Sequence, residues 1–176
     1  MKTLLHICCG PCSIYPVKTM RAEGTDVTGF FYNNNIHPYT EYETRKNTLA
    51  GYAGLISLCM IYRDDYDLEG FLRKIVFNEK ERCRYCYSER LNTTAILAKK
   101  NGFDSFTTTL LYSIYQKHDL IKEIGESAGE SAGIPFLYRD FRKGWREGVD
   151  ESRRLKLYRQ KYCGCIYSEK ERYLTA

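Results

Sequence analysis

Leu4-Leu5-His6-Ile7-Cys8-Cys9-Gly10-Pro11-Cys12-Ser13 is the stretch on which the fold turns. A short apolar run ends in two adjacent cysteines, a Gly-Pro step and a third cysteine. Residues 3–8 have the make-up of a buried strand. Pro11 suits the first turn of a helix, where its missing N–H has no intrahelical partner to lose. The stretch therefore predicts a strand-to-helix step with three thiols at the joint. Neighbouring side chains on an extended backbone point to opposite faces. Cys8 and Cys9 thus serve different centres, or one centre at a bent strand end.

Outward from this joint, strand and helix patterns alternate. A helix is expected over 13–23, ending at Gly24, then a strand over 26–32 and a polar Asn33-Asn34-Asn35 turn. A helix over 39–57 and a strand over 58–62 follow. Next come an acidic loop and a helix capped by Asp67 that carries Phe71, Leu72, Ile75 and Val76. A polar connection leads into Cys83-Arg84-Tyr85-Cys86, and a helix over 88–100 stops at Asn101-Gly102. Strands over 105–111 and 135–139 flank a helix over 119–133; a basic turn at 142–148 and a last helix over 150–159 precede Cys163-Gly164-Cys165. Alternation of this kind predicts an α/β fold: a single domain over 1–176 with a mostly parallel sheet and helices on both faces. Ligands in such sheets sit beyond the carboxyl ends of the strands. That rim holds Cys8–Cys12, Asn33–His37, the acidic loop and residues 112–118.

Composition excludes some classes. Hydrophobic content of 43% and charged content of 28% suit a soluble globular chain. No apolar run approaches about 18 residues. The N-terminus lacks the pattern of a signal peptide, so a cytoplasmic location and no membrane partner are expected. In a reducing compartment, eight cysteines in clusters read as metal ligands or catalytic thiols rather than structural bridges. A net charge of +5 and sixteen tyrosines favour an anionic, base-bearing partner.

The cysteine clusters leave several chemistries open. Cys83 and Cys86, with Arg82 and Arg84 beside them, can grip a metal or cycle as a dithiol. Cys9-Gly10-Pro11-Cys12 has the spelling of a thioredoxin-type pair, and four or more of these thiols can hold a structural zinc in an RNA-binding module. In Cys163-Gly164-Cys165 the glycine permits an unusual backbone; the pair reads as redox-active, as a C-terminal clasp, or as two more ligands. Cys59 reads as core. His6 reads as a core histidine, whereas His37 and His118 are rim candidates. Asp64 and Asp65 read as an exposed acidic turn or as an oxygen ligand. Arg153, Arg154, Lys156, Arg159 and Lys161 place cations just before Cys163, and Arg142, Lys143, Trp145 and Arg146 form a second patch.

The segments Leu-Leu-His-Ile-Cys-Cys-Gly-Pro-Cys-Ser, Tyr-Asn-Asn-Asn-Ile-His-Pro, Asp65-Tyr66-Asp67, Cys83-Arg84-Tyr85-Cys86-Tyr87, Tyr115-Gln116-Lys117-His118 and Tyr162-Cys163-Gly164-Cys165 occur in this order. Together they resemble the cobalamin-independent epoxyqueuosine reductase family over residues 4–168. The resemblance implies a Rossmann-like sheet related to the nucleotide-α-hydrolase group. It also implies a [4Fe–4S] cluster with a neighbouring mononuclear iron or other divalent metal. Cys8, Cys9, Cys12, Cys83 and Cys86 match the metal-binding cysteines, with Cys8, Cys9, Cys83 and Cys86 expected on the cluster. Asp65 matches an acidic position that completes the second metal. The implied reaction removes the epoxide oxygen from epoxyqueuosine at the tRNA wobble position, the last step of queuosine synthesis. It needs an external electron donor, with Cys163 and Cys165 as a two-electron store. Arg153, Arg154, Arg159 and Lys161 are expected on the tRNA. Two segments are less typical of that family: residues 111–116 lack a proline after the serine, and the spelling at 144–148 does not match it.

Overall fold

In the structure, a computed structural model that describes residues 1–174, the chain is built around the strand β1 (Lys2–His6). Thr175 and Ala176, the last residues of the expected 1–176 domain, lie outside the described residues. All of β1 after Lys2 is buried. That explains a near-continuous apolar run where a half-exposed strand would alternate. β1 pairs in parallel with β2 (Asp26–Phe31) on one side and with β4 (Ser105–Thr108) on the other. β3 (Met60–Tyr62) pairs in parallel with β2, giving the order β3-β2-β1-β4. At Gly29 the side chains of Met60 and Ile7 fill the space that a Cβ would take. Glycine at this point is a packing requirement.

The first two crossovers run through α1 (Gly10–Ala22) and α2 (Tyr39–Leu55) and step along the sheet in one direction. The third passes through α3 (Leu68–Ile75) and α4 (Arg82–Lys100) and returns past β1 to β4. Right-handed crossovers put helices from opposite directions on opposite faces. α4 packs on α5 (His118–Ala132), while α1 packs on α2 and α6 (Trp145–Arg154). The expected α/β Rossmann-like architecture is therefore present. Sheet order reverses between β1 and β4, so their carboxyl ends form the crevice where such folds bind ligands.

Several elements depart from expectation. Residues 135–139 make no strand: Phe136 forms a single bridge to Phe106, with Phe106 N–H donating to Pro135 O at 3.1 Å and Leu137 N–H to Phe106 O at 2.8 Å. Pro135 has no N–H to extend the ladder, and Phe136 packs on Phe106 at 5.2 Å. β4 ends at Thr108, because the Thr108 hydroxyl accepts from Leu110 N–H at 3.1 Å and starts a 3-10 turn over Thr109–Tyr112. The helix expected over 150–159 is α6, which starts at Trp145, within the expected basic turn, and ends at Arg154. Its end is a Schellman arrangement, with Lys156 at φ 53° and Leu157 N–H donating to Ser152 O at 3.0 Å. Lysine takes the place glycine normally has, which hid the boundary. Cys83 and Cys86 lie inside α4, not ahead of it. Ile166–Leu174 forms α7, which was not anticipated. Cys59 is exposed rather than core, since β3 is a three-residue edge strand. Asp67 does cap its helix, accepting from Gly70 N–H at 2.9 Å.

Candidate metal centre

Cys8, Cys9 and Cys12 sit at the carboxyl end of β1, on the crevice side of β4. Their sulfurs lie within 4.8 Å of one another, the one grouping of this kind among the described residues. Cys9 is the N-cap of α1 and Cys12 lies in its first turn. β1 has already ended at His6, so strand alternation no longer separates Cys8 from Cys9, and their sulfurs are 3.9 Å apart. The positive end of α1 favours negative charge on these thiols. The 3-10 turn after β4 supplies the other anchor: Cys8 N–H donates to Thr109 Oγ1 at 3.2 Å, and the Thr109 hydroxyl to Cys8 Sγ at 3.5 Å. Hydrogen bonds from Cys12, and then from Cys9, hold Cys8 well below the usual thiol range. Burial raises Cys9, and the bond to Cys8 raises Cys12. Within the trio Cys8 is the thiol most favoured to lose its proton. Three convergent, buried soft donors at a helix N-terminus fit a thiophilic metal.

Beneath the trio, His6 fills the strand position. Its Nε2–H donates to Tyr32 O at 3.1 Å and its Nδ1 accepts from the Thr108 hydroxyl at 2.9 Å, so the ring is neutral. Burial and then the charge of Arg90 hold it at about 3. Arg90 was missed in the sequence. It is 2% exposed and has no carboxylate partner among the described residues. Its guanidinium donates to Cys86 O at 3.1 Å, Cys86 Sγ at 2.9 Å and Asn33 Oδ1 at 3.4 Å. Cys86, Cys163 and Cys8 all lie close enough to influence it electrostatically. Burial pushes Cys86 up to about 12, against the pull of Arg90. Arg90 therefore links the thiol groups that the chain scatters. The Cys86-x-x-x-Arg90 spacing, which sets both on one helical face, was the available signal.

Cys163-Gly164-Cys165 is brought in by the loop after β2. His37 N–H donates to Gly164 O at 2.8 Å, Ile166 N–H to His37 Nδ1 at 3.4 Å, and the Tyr162 hydroxyl to His37 O at 2.6 Å. His37 is buried, not solvated, and burial lowers it to about 4. Arg45 closes the clamp, donating to Cys163 O at 2.8 Å and Tyr162 O at 3.0 Å while paired with Glu41 at 2.7 Å. All eight cysteines are free thiols. Cys163 Sγ accepts from Gln116 Nε2 at 3.2 Å, and Cys165 Sγ lies 3.6 Å from Ser168 Oγ. Cys163 opens to solvent on one side but is crowded on the others, and desolvation raises its thiol.

A cleft of about 620 Å³ has both Cys12 and Cys163 in its lining, with Tyr112, Tyr115, Trp145, Arg159 and Lys161 around them. Gln160 Nε2 donates to Cys12 Sγ at 3.5 Å. The four cations expected on tRNA divide here. Arg159 and Lys161 line the cleft, whereas Arg153 pairs with Asp150 at 3.3 Å and Arg154 with Glu151 at 2.6 Å, both outside the lining. Cys83 is half-buried on α4 and, like Cys86, lies outside the compact trio. Asp65 is on an exposed loop, its carboxylate 2.6 Å from Arg63 Nε, and also lies outside the trio. Asp64 pairs with Lys46 and accepts from the Tyr42 hydroxyl at 2.8 Å. His118 is buried against Tyr138, its Nε2 3.0 Å from the Tyr138 hydroxyl.

Residues 3–171 match the family model described as epoxyqueuosine reductase QueH. Proteins named epoxyqueuosine reductase QueH from Dehalococcoides mccartyi and Thermotoga maritima are 34% and 37% identical to the chain. The matches cover 98% and 96% of it, and 94% and 91% of those proteins. A protein of that name from Streptococcus pyogenes is 32% identical over 95% of the chain and 70% of its own length. A thiol trio at the switch point of a Rossmann-like sheet, matched over nearly the whole chain, places it: the chain belongs to the epoxyqueuosine reductase QueH family.

Proposed function

We propose that this chain is an oxidoreductase that converts epoxyqueuosine in tRNA to queuosine, with residues 1–176 acting as one catalytic domain. The carrying observation is the buried Cys8–Cys9–Cys12 trio, whose Cys12 shares a cleft with Cys163. The family match sets aside a thioredoxin-like role for Cys9 and Cys12 and a zinc-held RNA module. No helix among the described residues is long and apolar enough to cross a membrane. A cytoplasmic location suits a tRNA substrate and free thiols.

The reaction takes an epoxide, two electrons and two protons to an alkene and water. Cys8, Cys9, Cys83 and Cys86 would hold a [4Fe–4S] cluster, and Cys12 with Asp65 would serve a neighbouring divalent metal. When bound, such a pair supplies one-electron transfer and Lewis acidity toward the departing oxygen. Asp65 would have to exchange Arg63 for that metal. Cys163 and Cys165 match the electron count: closing their dithiol to a disulfide releases two electrons and two protons. An external donor then reopens the disulfide. Gln116 holds the Cys163 sulfur toward the cleft, and Gln160 that of Cys12. Arg159 and Lys161 take phosphates at the mouth, and Arg153 and Arg154 extend that surface once their carboxylate pairs open.

The test is anaerobic purification with iron and sulfide counts, followed by turnover of epoxyqueuosine-containing tRNA with a chemical reductant. Stoichiometric iron and sulfide with queuosine formed are expected. A colourless protein that leaves the tRNA unchanged overturns the reading. Cys163→Ser with Cys165→Ser should abolish turnover; full activity would remove the dithiol from the scheme.

A further inference from the structure

Three aromatic rings run from the core to the mouth of the Cys12–Cys163 cleft. Tyr112 is 2% exposed, and its hydroxyl donates to Trp145 O at 2.9 Å. Its ring lies 5.1 Å from that of Trp145. Tyr115 lies beyond, 81% exposed, its ring centroid 5.5 Å from Trp145 at an interplanar angle of 84°. Trp145 is thus backed by a buried ring and hydrogen-bonded through its carbonyl, while Tyr115 stands at right angles to it with open faces. The result is a pre-formed aromatic corner. A planar base set into it stacks flat on one ring and meets the other edge-on, the arrangements that aromatic pairs prefer.

The surroundings fit a base attached to a phosphate backbone better than a free hydrophobic ligand. Arg159 and Lys161 line the same cleft and have no ion-pair partner among the described residues, whereas Arg153 and Arg154 a few positions upstream are committed to carboxylates. Unpaired cations beside exposed rings are the common equipment for single-stranded nucleic acid.

We propose that Tyr115 and Trp145 form the subsite that captures the target base, flipped from the anticodon loop, and directs its epoxide toward Cys12 and Cys163. Arg159 and Lys161 hold the flanking phosphates. This rests on the tRNA reading above and names the residues that make the selection. The two rings are positioning residues that set which base enters.

Trp145 is the single tryptophan of the chain, so tryptophan fluorescence reports on this corner alone. The full metal-loaded protein is titrated with an anticodon stem-loop carrying epoxyqueuosine and with the same RNA lacking that base. Saturable quenching by the first and little by the abasic RNA are expected. Tyr115→Ala should weaken binding of the modified RNA roughly 5- to 150-fold, the range for losing one stacked base. It should leave abasic binding unchanged, and Tyr115→Phe should restore affinity. Because Tyr115 is exposed, its metal content and unfolding midpoint should match the parent. Equal quenching by abasic RNA, or unchanged affinity and KM in Tyr115→Ala, overturns the corner while parental turnover still supports the tRNA reading. A parent that neither binds nor reduces the modified RNA overturns both.

Discussion

Two buried arginines carry unlike burdens. Arg45 has a carboxylate: Glu41 lies 2.7 Å away, and the two side chains are 1% and 10% exposed. Removing one partner of such a pair strands a buried charge. Arg45→Met should therefore cost about 3–5 kcal/mol in denaturant unfolding. Arg45→Met combined with Glu41→Leu should lose less than the single change, although the Tyr162 and Cys163 carbonyls still lose their donors. Arg90 has no carboxylate among the described residues; its closest side-chain partner is the Cys86 sulfur at 2.9 Å. Arg90→Met should destabilise the metal-free protein by about 1–3 kcal/mol, because Asn33 Oδ1 and Cys86 Sγ lose their buried donor. It should also lower the amount of metal retained during gel filtration. Arg90→Lys keeps the charge but not the forked geometry, so metal retention should recover in part.

At the scale of elements, α6 ends where the chain must turn into the cleft. Lys156 holds φ 53°, a conformation that costs a non-glycine residue about 1 kcal/mol or more. Lys156→Gly should raise the unfolding free energy by up to about 1 kcal/mol, less whatever glycine adds to the entropy of the unfolded chain. Thermal or denaturant midpoints read this directly. The element boundaries legible in the sequence were those with a local chemical marker. Asp67 as a cap and Gly24 and Gly102 after helices were such markers. Boundaries set by unusual residues were not: a lysine in a Schellman turn, a threonine hydroxyl that ends β4, and a Phe136 held by ring packing instead of a ladder.

Across the whole molecule, two histidines tie the sheet and the C-terminal loop to pH. His6 and His37 are neutral and buried, with folded values of about 3 and 4, lowered chiefly by burial. The unfolded chain takes up protons below about 6.5 and the folded chain does not. Stability is thus whole above about 6.5 and falls as the pH drops toward 4, by roughly 2–3 kcal/mol per pH unit for the two residues once the unfolded imidazoles are fully charged. Urea titrations of metal-free protein between pH 7 and about 4.5 should show that slope, and His37→Gln should remove about half of it. A flat profile would mean that these rings are accessible in solution.

The sequence by itself determined the alternation of strand and helix, the strand-to-helix joint at Cys8–Cys12 and the pairing of thiols within each short cluster. Those are local matters, decided by backbone period, by glycine and proline, and by a spacing of a few residues. It could not say which clusters meet, because residues distant in the chain are joined by sheet order and crossover hand. Only the β3-β2-β1-β4 order sets Thr109 against Cys8. The fold likewise places Arg90 among three thiols, binds His37 to Gly164, and sets Trp145 beside Tyr115. The trio at the end of β1 was legible because five consecutive positions hold it; the cleft around it was not, because its walls come from the 3-10 turn after β4, α6 and the C-terminal loop. Burial then decided the roles, leaving Asp65 in solvent with Arg63 and drawing an unpaired guanidinium into the sulfur-lined interior.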